Sequence, residues 1–203
     1  MVRAERLLVL ACGALAREVL AIAQANGWEH VDVHCLPAQL HSTPRLIPRA
    51  VDEALHRAAG SYDGVFVAYA DCGTAGELDR VLARHGAKRL SGAHCYAVYA
   101  GLPEWDALQE EEPGTFYLTD FLVRHVESLV VRPLGLDRHP ELVADIFGNY
   151  RRVVYLAQSD DRALLDRARA FAESLGLAFE HRQTGYGRLT PSLSSFVALA
   201  RVA

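Results

Sequence analysis

Short apolar runs alternate with amphipathic segments along the first half of the chain, and this alternation restricts the fold more than any other feature. Residues 7–11 are continuously apolar, as is typical of a parallel strand buried on both faces. Residues 14–26 follow, with apolar side chains at helical spacing. Strands joined by such helices run parallel, because each crossover returns the chain to the same end of the sheet. The sequence therefore predicts an α/β fold in which helices cover both faces of a parallel sheet.

The first half of the chain contains the clearest elements. The predicted strands cover residues 7–11, 31–36, 64–70 and 88–90. The predicted helices cover residues 14–26, 48–60 and 78–86. We expect the strand order 2-1-3-4, as in Rossmann-like and flavodoxin-like sheets.

The second half is less regular but predicts at least one more βαβ unit. Its expected strands are residues 115–119, 152–157 and 177–181, and its expected helices are 121–131, 141–150 and 160–175. Residues 106–114 are interpreted as an acidic break that ends at Pro113-Gly114, and Ser159 as the cap of the last of these helices. We expect an N-terminal lobe over residues 1–113 and a C-terminal portion over 114–203 packed on it, or one single domain.

Composition argues against several classes of protein. The net charge is −4 with a pI near 6.1, so no basic face for nucleic acid is indicated. Membrane-spanning helices need about 20 apolar residues, and the apolar runs here are short and interrupted. Arg3, Glu5 and Arg6 do not fit a signal peptide. We therefore expect a cytoplasmic protein that acts on a small molecule, with a homodimer or a partner enzyme left open.

Three of the four cysteines lie at or just beyond the carboxyl ends of predicted strands. Cys12 follows the first strand, Cys72 the third and Cys95 the fourth. In open α/β sheets, ligands bind beyond these ends, so the topology gathers the three thiols into one crevice. Cys35 lies inside the second strand and is interpreted as a buried thiol that packs as a small apolar group.

Three thiolates with one further ligand suit a tetrahedral zinc ion or an iron–sulfur cluster with one open iron. His41, in the loop after the second strand, is the expected fourth ligand. His94 is next to Cys95, and neighbours in the chain do not easily bind one ion, so we expect His94 to transfer protons. Asp71, beside Cys72, is a second candidate for proton transfer.

Two other interpretations of the same residues stay open. Cysteine is among the most buried residue types, so the thiols can be inert packing groups, and the chain has no Cys-x-x-Cys. A thiol activated by the helix that follows it would instead support redox or nucleophilic chemistry without a metal. Asp71 can equally cap the next helix.

Several short motifs occur in an order that resembles the DUF1638 family. They are Ala11-Cys12-Gly13, Leu40-His41-Ser42-Thr43-Pro44, Tyr69-Ala70-Asp71-Cys72-Gly73, His94-Cys95 and Pro113-Gly114-Thr115-Phe116-Tyr117-Leu118-Thr119. The resemblance implies a shared site formed by Cys12, Cys72, Cys95 and His41, and implies no particular reaction. The chain departs from the family pattern at Ala70-Asp71 and at Ala93-His94.

These patterns predict a metalloenzyme that acts on a small molecule by Lewis-acid, sulfur or methyl chemistry. The alternative is a non-catalytic protein that handles a metal or cofactor for a partner enzyme of methyl or sulfur metabolism.

Overall fold

The computed structural model describes residues 5–200. The chain divides into two compact units. The first contains the residues up to Val98 and those from Tyr186 onward, and the second is Tyr99–Gly185. Each unit has its own parallel sheet.

The first unit is built on a four-stranded parallel sheet. Its strands are β1 (Leu7–Cys12), β2 (Val31–Leu36), β3 (Gly64–Ala68) and β4 (Lys88–Arg89). Their order is β2-β1-β3-β4, so the predicted order is confirmed. Every residue of β1 is buried, as its continuous apolar run requires.

Four helices follow the strands of this sheet along the chain. They are α1 (Ala16–Ala25), α2 (Ile47–Ala58), α3 (Glu77–His85) and α4 (Cys95–Ala100). Helix α2 packs against α3, and both bury their apolar stripes. Short 3₁₀ turns cover Gly13–Leu15, Ala38–Ser42 and Pro44–Leu46.

The second unit has a three-stranded parallel sheet in the order β5-β6-β7. Its strands are β5 (Thr115–Thr119), β6 (Arg152–Ala157) and β7 (Ala178–Gln183). Its helices are α5 (Leu102–Glu111), α6 (Asp120–Arg124), α7 (Leu142–Phe147) and α8 (Arg162–Ser174), with a π-helical turn at Glu127–Val131. The predicted second parallel unit is confirmed.

The last described helix, α9 (Leu189–Ala200), belongs to the first unit and was not predicted from the sequence. It packs on β3, where the ring centroids of Phe196 and Phe66 lie 5.4 Å apart. Among residues 5–200, no helix is long and apolar enough to cross a membrane.

Two local predictions for the second unit are wrong. Much of the expected acidic break is helix α5, because Trp105 and Leu108 are buried while most of its acidic residues face solvent. The cap of α8 is Asp161, whose carboxylate accepts the N–H groups of Ala163 and Leu164. Ser159 instead donates its hydroxyl hydrogen to a buried carboxylate.

That carboxylate belongs to Asp120, which is 1% exposed and lies just after β5. It accepts hydrogen bonds from the Tyr155 hydroxyl at 2.7 Å and the Gln158 backbone N–H at 2.9 Å. Its own N–H donates to the Gln158 side chain at 2.8 Å. Asp120 thereby joins the carboxyl ends of β5 and β6 through a saturated polar network.

We expect Asp120→Ala to lower the free energy of unfolding of the second unit by about 3 kcal/mol, because it leaves several buried hydrogen-bond donors without an acceptor. Urea unfolding followed by Trp105 fluorescence in a Trp28→Phe background measures this unit, since Trp105 lies within it. The control is Asp166→Ala: this carboxylate is 65% exposed and pairs only with Arg162 in the described structure, so the loss stays below about 0.5 kcal/mol. Equal losses in the two variants would contradict the assigned role of Asp120.

Candidate functional site

Cys12 ends β1, the strand that lies between β2 and β3. Its backbone position is set by strand pairing, in which Ala11 is level with Ala68 of β3. The Cys12 sulfur accepts the N–H of Ala14 at 3.3 Å and so caps the following 3₁₀ turn. The thiol is thereby held at the carboxyl edge of the sheet.

The loop after β3 carries Cys72 and is tied to the segment that precedes α4. The N–H of Cys72 donates to the carbonyl of Ala93 at 2.7 Å, and that of Asp71 donates to Gly92 at 3.1 Å. Cys72 has a φ of 53°, a left-handed conformation that is unfavourable for a residue with a side chain. These two bonds bring Cys72 next to the chain segment that leads into Cys95.

Asp71 organises the same loop. Its carboxylate accepts the Thr74 hydroxyl at 2.9 Å and the backbone N–H groups of Ala75 and Gly76 at 3.3 and 3.0 Å. Burial raises the pKa of Asp71, but these hydrogen bonds outweigh it and hold the pKa below its ordinary value. These contacts lie within the loop, and the N-cap position of α3 is Gly76, so the expected alternative in which Asp71 caps that helix is not met.

His41 lies against Cys12. Its Nδ1 is 3.1 Å from the carbonyl oxygen of Ala38 and 3.8 Å from the Cys12 sulfur. The tautomer that donates Nδ1–H to this carbonyl leaves Nε2 as a lone pair, the arrangement usual for metal-binding histidines. Burial lowers the pKa of His41, which keeps the ring neutral at pH 7. The ring is parallel to that of Tyr69, with centroids 6.0 Å apart.

The three thiols at this edge affect one another electrostatically. Burial raises the pKa of Cys12 to about 11. Burial, and then the nearby charge of Cys12, raise the pKa of Cys72 to about 12. The pKa of Cys95 is raised by burial and then by Cys72 and Cys12. Without a cation the three thiols are protonated at neutral pH, which argues against a strongly activated thiol.

The sulfur atoms nevertheless do not form a ready-made cluster. Within residues 5–200, no cysteine belongs to a group of three Cys, His, Asp or Glu ligand atoms that lie within 4.8 Å of one another. The arrangement therefore gives no direct support to an iron–sulfur cluster. All four thiols are free.

Cys35 differs from its prediction, because it is exposed. β2 is the edge strand of the sheet, with a neighbouring strand only on its β1 side. The expected order 2-1-3-4 already places the second strand at this edge, and the interpretation of Cys35 as buried does not take the reduced cover of an edge strand into account.

His94 immediately precedes α4 and is half-buried. Burial lowers its pKa, whereas the negative charge of Asp71 raises it. The two residues that were expected to transfer protons, Asp71 and His94, therefore interact electrostatically. Their catalytic roles stay predictions.

A different group of residues does meet the spacing needed for a metal ion. The ligand atoms of Asp52, His56 and His85 lie within 4.8 Å of one another. Asp52 and His56 are one turn apart on α2, a spacing visible in the sequence, but His85 comes from α3. Sequence analysis missed the trio because only the packing of α2 on α3 brings in the third member.

Comparison with known families supports the resemblance seen in the motifs. A sequence model of the family described as "Protein of unknown function (DUF1638)" matches residues 35–193. The match includes His41, Cys72 and Cys95 as well as the Asp52, His56 and His85 trio, whereas Cys12 precedes it. A search of curated proteins found no match.

The raised pKa values predict a clear order of thiol reactivity in metal-free protein. At pH 8, iodoacetamide should label Cys35 at least about tenfold faster than Cys12, Cys72 or Cys95, because Cys35 is exposed. A thiol of pKa about 11, such as Cys12, is only about one part in a thousand thiolate at this pH. Peptide mass spectrometry gives the order, and labelling in urea serves as the control in which all four react. Rapid native labelling of Cys12 would instead favour metal-free thiol chemistry.

Proposed function

Because the chain belongs to the DUF1638 family, whose description assigns no reaction, its function must be inferred from its own residues, and we propose that it is a metal-binding protein. In this proposal Cys12, Cys72 and Cys95 bind one divalent ion at the carboxyl edge of the first sheet. His41 completes or borders the site, and the bound ion serves chemistry on a small molecule.

The observation that carries the proposal is the convergence of donor groups from separate chain segments. The His41 ring from the loop after β2 lies 3.8 Å from the sulfur that ends β1. The Cys72 loop is hydrogen-bonded to the segment that leads into Cys95. Sulfur with one imidazole nitrogen is a donor set typical of zinc, and we therefore favour zinc over an iron–sulfur cluster.

The electrostatics of the thiols are consistent with this role. Burial and the repulsion between neighbouring thiolates raise the pKa values of Cys72 and Cys95, so these thiols stay protonated when no positive charge is near. A cation favours the deprotonated form of each ligand, and metal binding then releases protons.

In this proposal a small molecule reaches the site past His41 and His94. Cys12 and Cys72 are buried, whereas His41 and His94 are half-buried. Where His41 borders the site and does not complete it, a bound zinc ion would supply a Lewis acid with one exchangeable coordination position. In this arrangement His94 accepts or returns a proton at its ring nitrogen. Asp71 holds the Cys72 loop and favours protonation of His94.

The burial of Cys12 and Cys72 favours a second candidate function. A closed site with four protein ligands would suit a protein that handles a metal or cofactor for a partner enzyme, without catalysis of its own. Co-purification with a partner, together with a Co²⁺-substituted site that excludes added small ligands, would favour this alternative.

Metal analysis of the purified protein tests the proposal. We expect about one equivalent of zinc, and a loss of at least about tenfold in zinc affinity in each of Cys12→Ser, Cys72→Ser and Cys95→Ser, because each removes one thiolate ligand. Cys35→Ser is the matched control, since this exposed thiol lies outside the site, and it should retain the metal. Co²⁺ substitution should add sulfur-to-metal charge-transfer absorption in the near ultraviolet.

Two results would reject the thiol site. One is a Co²⁺ spectrum without sulfur charge transfer in folded protein. The other is metal affinity that stays unchanged in all three serine variants. Iron together with visible absorption that depends on the same cysteines would keep the site and replace zinc with a cluster.

A further inference from the structure

We infer that Asp52, His56 and His85 form a second cation site, which takes a divalent first-row metal such as Zn²⁺, Ni²⁺ or Co²⁺ and links α2 to α3. The inference does not depend on the thiol site, because it uses other residues and other donor atoms.

The two helices supply the three groups in a fixed arrangement. Asp52 and His56 are one turn apart on α2, so their side chains share a face. His85 is the last residue of α3, and Gly86 ends this helix in a left-handed conformation with φ 62°. Helices α2 and α3 pack against each other, which sets His85 opposite the Asp52 and His56 face.

Both imidazoles approach the same carboxylate oxygen. The Nε2 atom of His85 is 2.6 Å from Oδ1 of Asp52, and the Nδ1 atom of His56 is 3.5 Å from it. The two rings are nearly perpendicular, with centroids 4.7 Å apart. All three ligand atoms fall within 4.8 Å of one another, the range spanned by ligands of a single ion.

The charges around the trio leave one carboxylate oxygen available. Arg84 lies 3.2 Å from Oδ2 of Asp52, on the other side of the carboxylate from Oδ1. Oδ1 is 2.6 Å from Nε2 of His85 and 3.5 Å from Nδ1 of His56, so a cation shared by the two imidazoles would replace the hydrogen bond from His85.

The second imidazole, that of His56, lies beside the same oxygen although its Nδ1 atom is also 2.9 Å from the backbone carbonyl oxygen of Asp52 on its own helix, so a cation bound at Nδ1 would replace that hydrogen bond. A single histidine is enough to hydrogen-bond Asp52, and His85 does so with a side chain that is 17% exposed. His56 is 70% exposed and adds a second nitrogen toward the same oxygen. Two imidazoles and one carboxylate form a donor set that suits zinc and its first-row neighbours, whereas Mg²⁺ and Ca²⁺ prefer oxygen ligands.

The trio lies toward the opposite edge of the sheet from the thiols. In a parallel sheet the helices return the chain from the carboxyl edge to the amino edge. His85 ends α3 shortly before β4 begins, and His56 lies in the last turn of α2. A cation at this position would stabilise the α2 and α3 pair without contact with the thiol site. The exposure of His56 would leave coordination positions to water.

Titration of the full-length protein with Ni²⁺ tests the inference, with affinity measured by calorimetry and stabilisation measured by thermal unfolding. We expect a rise in the melting temperature of the wild-type protein, because an ion that binds only the folded state stabilises it. His56→Ala and His85→Ala should each weaken Ni²⁺ binding by at least about tenfold. His139→Ala is the matched control: this exposed histidine contacts Glu141 and belongs to no such trio, so affinity should stay within about twofold.

His85→Ala can also loosen the contact between the helices, and His56→Ala therefore decides the outcome, because His56 is mostly exposed. Wild-type affinity in the folded His56→Ala variant would overturn the inference, as would the absence of Ni²⁺ binding to the wild-type protein. Co²⁺ spectra separate the two proposals. If Co²⁺ in the wild-type protein shows sulfur charge transfer but no cobalt bound by nitrogen and oxygen ligands, this site alone is rejected. If it shows cobalt bound by nitrogen and oxygen ligands but no sulfur charge transfer, the thiol site alone is rejected.

Discussion

Strand β1 is the element on which the rest of the first unit depends. All of its residues are buried, and it pairs in parallel with β2 on one side and β3 on the other. Because parallel strands end at one edge, Cys12, the loop with His41 and the loop with Cys72 are all delivered there.

The two candidate metal sites illustrate two ways in which a protein presents ligands. At the sheet edge, burial and mutual repulsion keep the thiols protonated, so an ion would have to supply the charge that draws them together. On the helix pair, the Asp52 carboxylate contacts the His85 imidazole at 2.6 Å, and the His56 imidazole lies 3.5 Å from the same oxygen. The first arrangement depends on an ion to become a site, and the second is largely organised beforehand.

Part of the local structure was predictable because its cause is local. Apolar runs identified the strands, because a continuous apolar run is typical of a parallel strand buried on both faces. Local patterns failed where distant packing decides. Burial of Trp105 and Leu108 stabilises a helix in an acidic segment. The Ser159 hydroxyl donates a hydrogen bond to Asp120, and Asp161 caps α8 in its place. Helix α9 is held by β3, far from it in the sequence.

By itself, the sequence determined the α/β class and the parallel strands, since these follow from hydrophobic periodicity and from crossovers that return the chain to the same end of the sheet. It also identified Cys12, Cys72 and Cys95 as residues at strand ends. Only the tertiary structure decided how near their sulfur atoms come to one another, that the Cys35 thiol is exposed, and that His85 joins Asp52 and His56. The physical reason is that periodicity reports which face of an element is buried, whereas distances between side chains depend on which elements pack together and in what register.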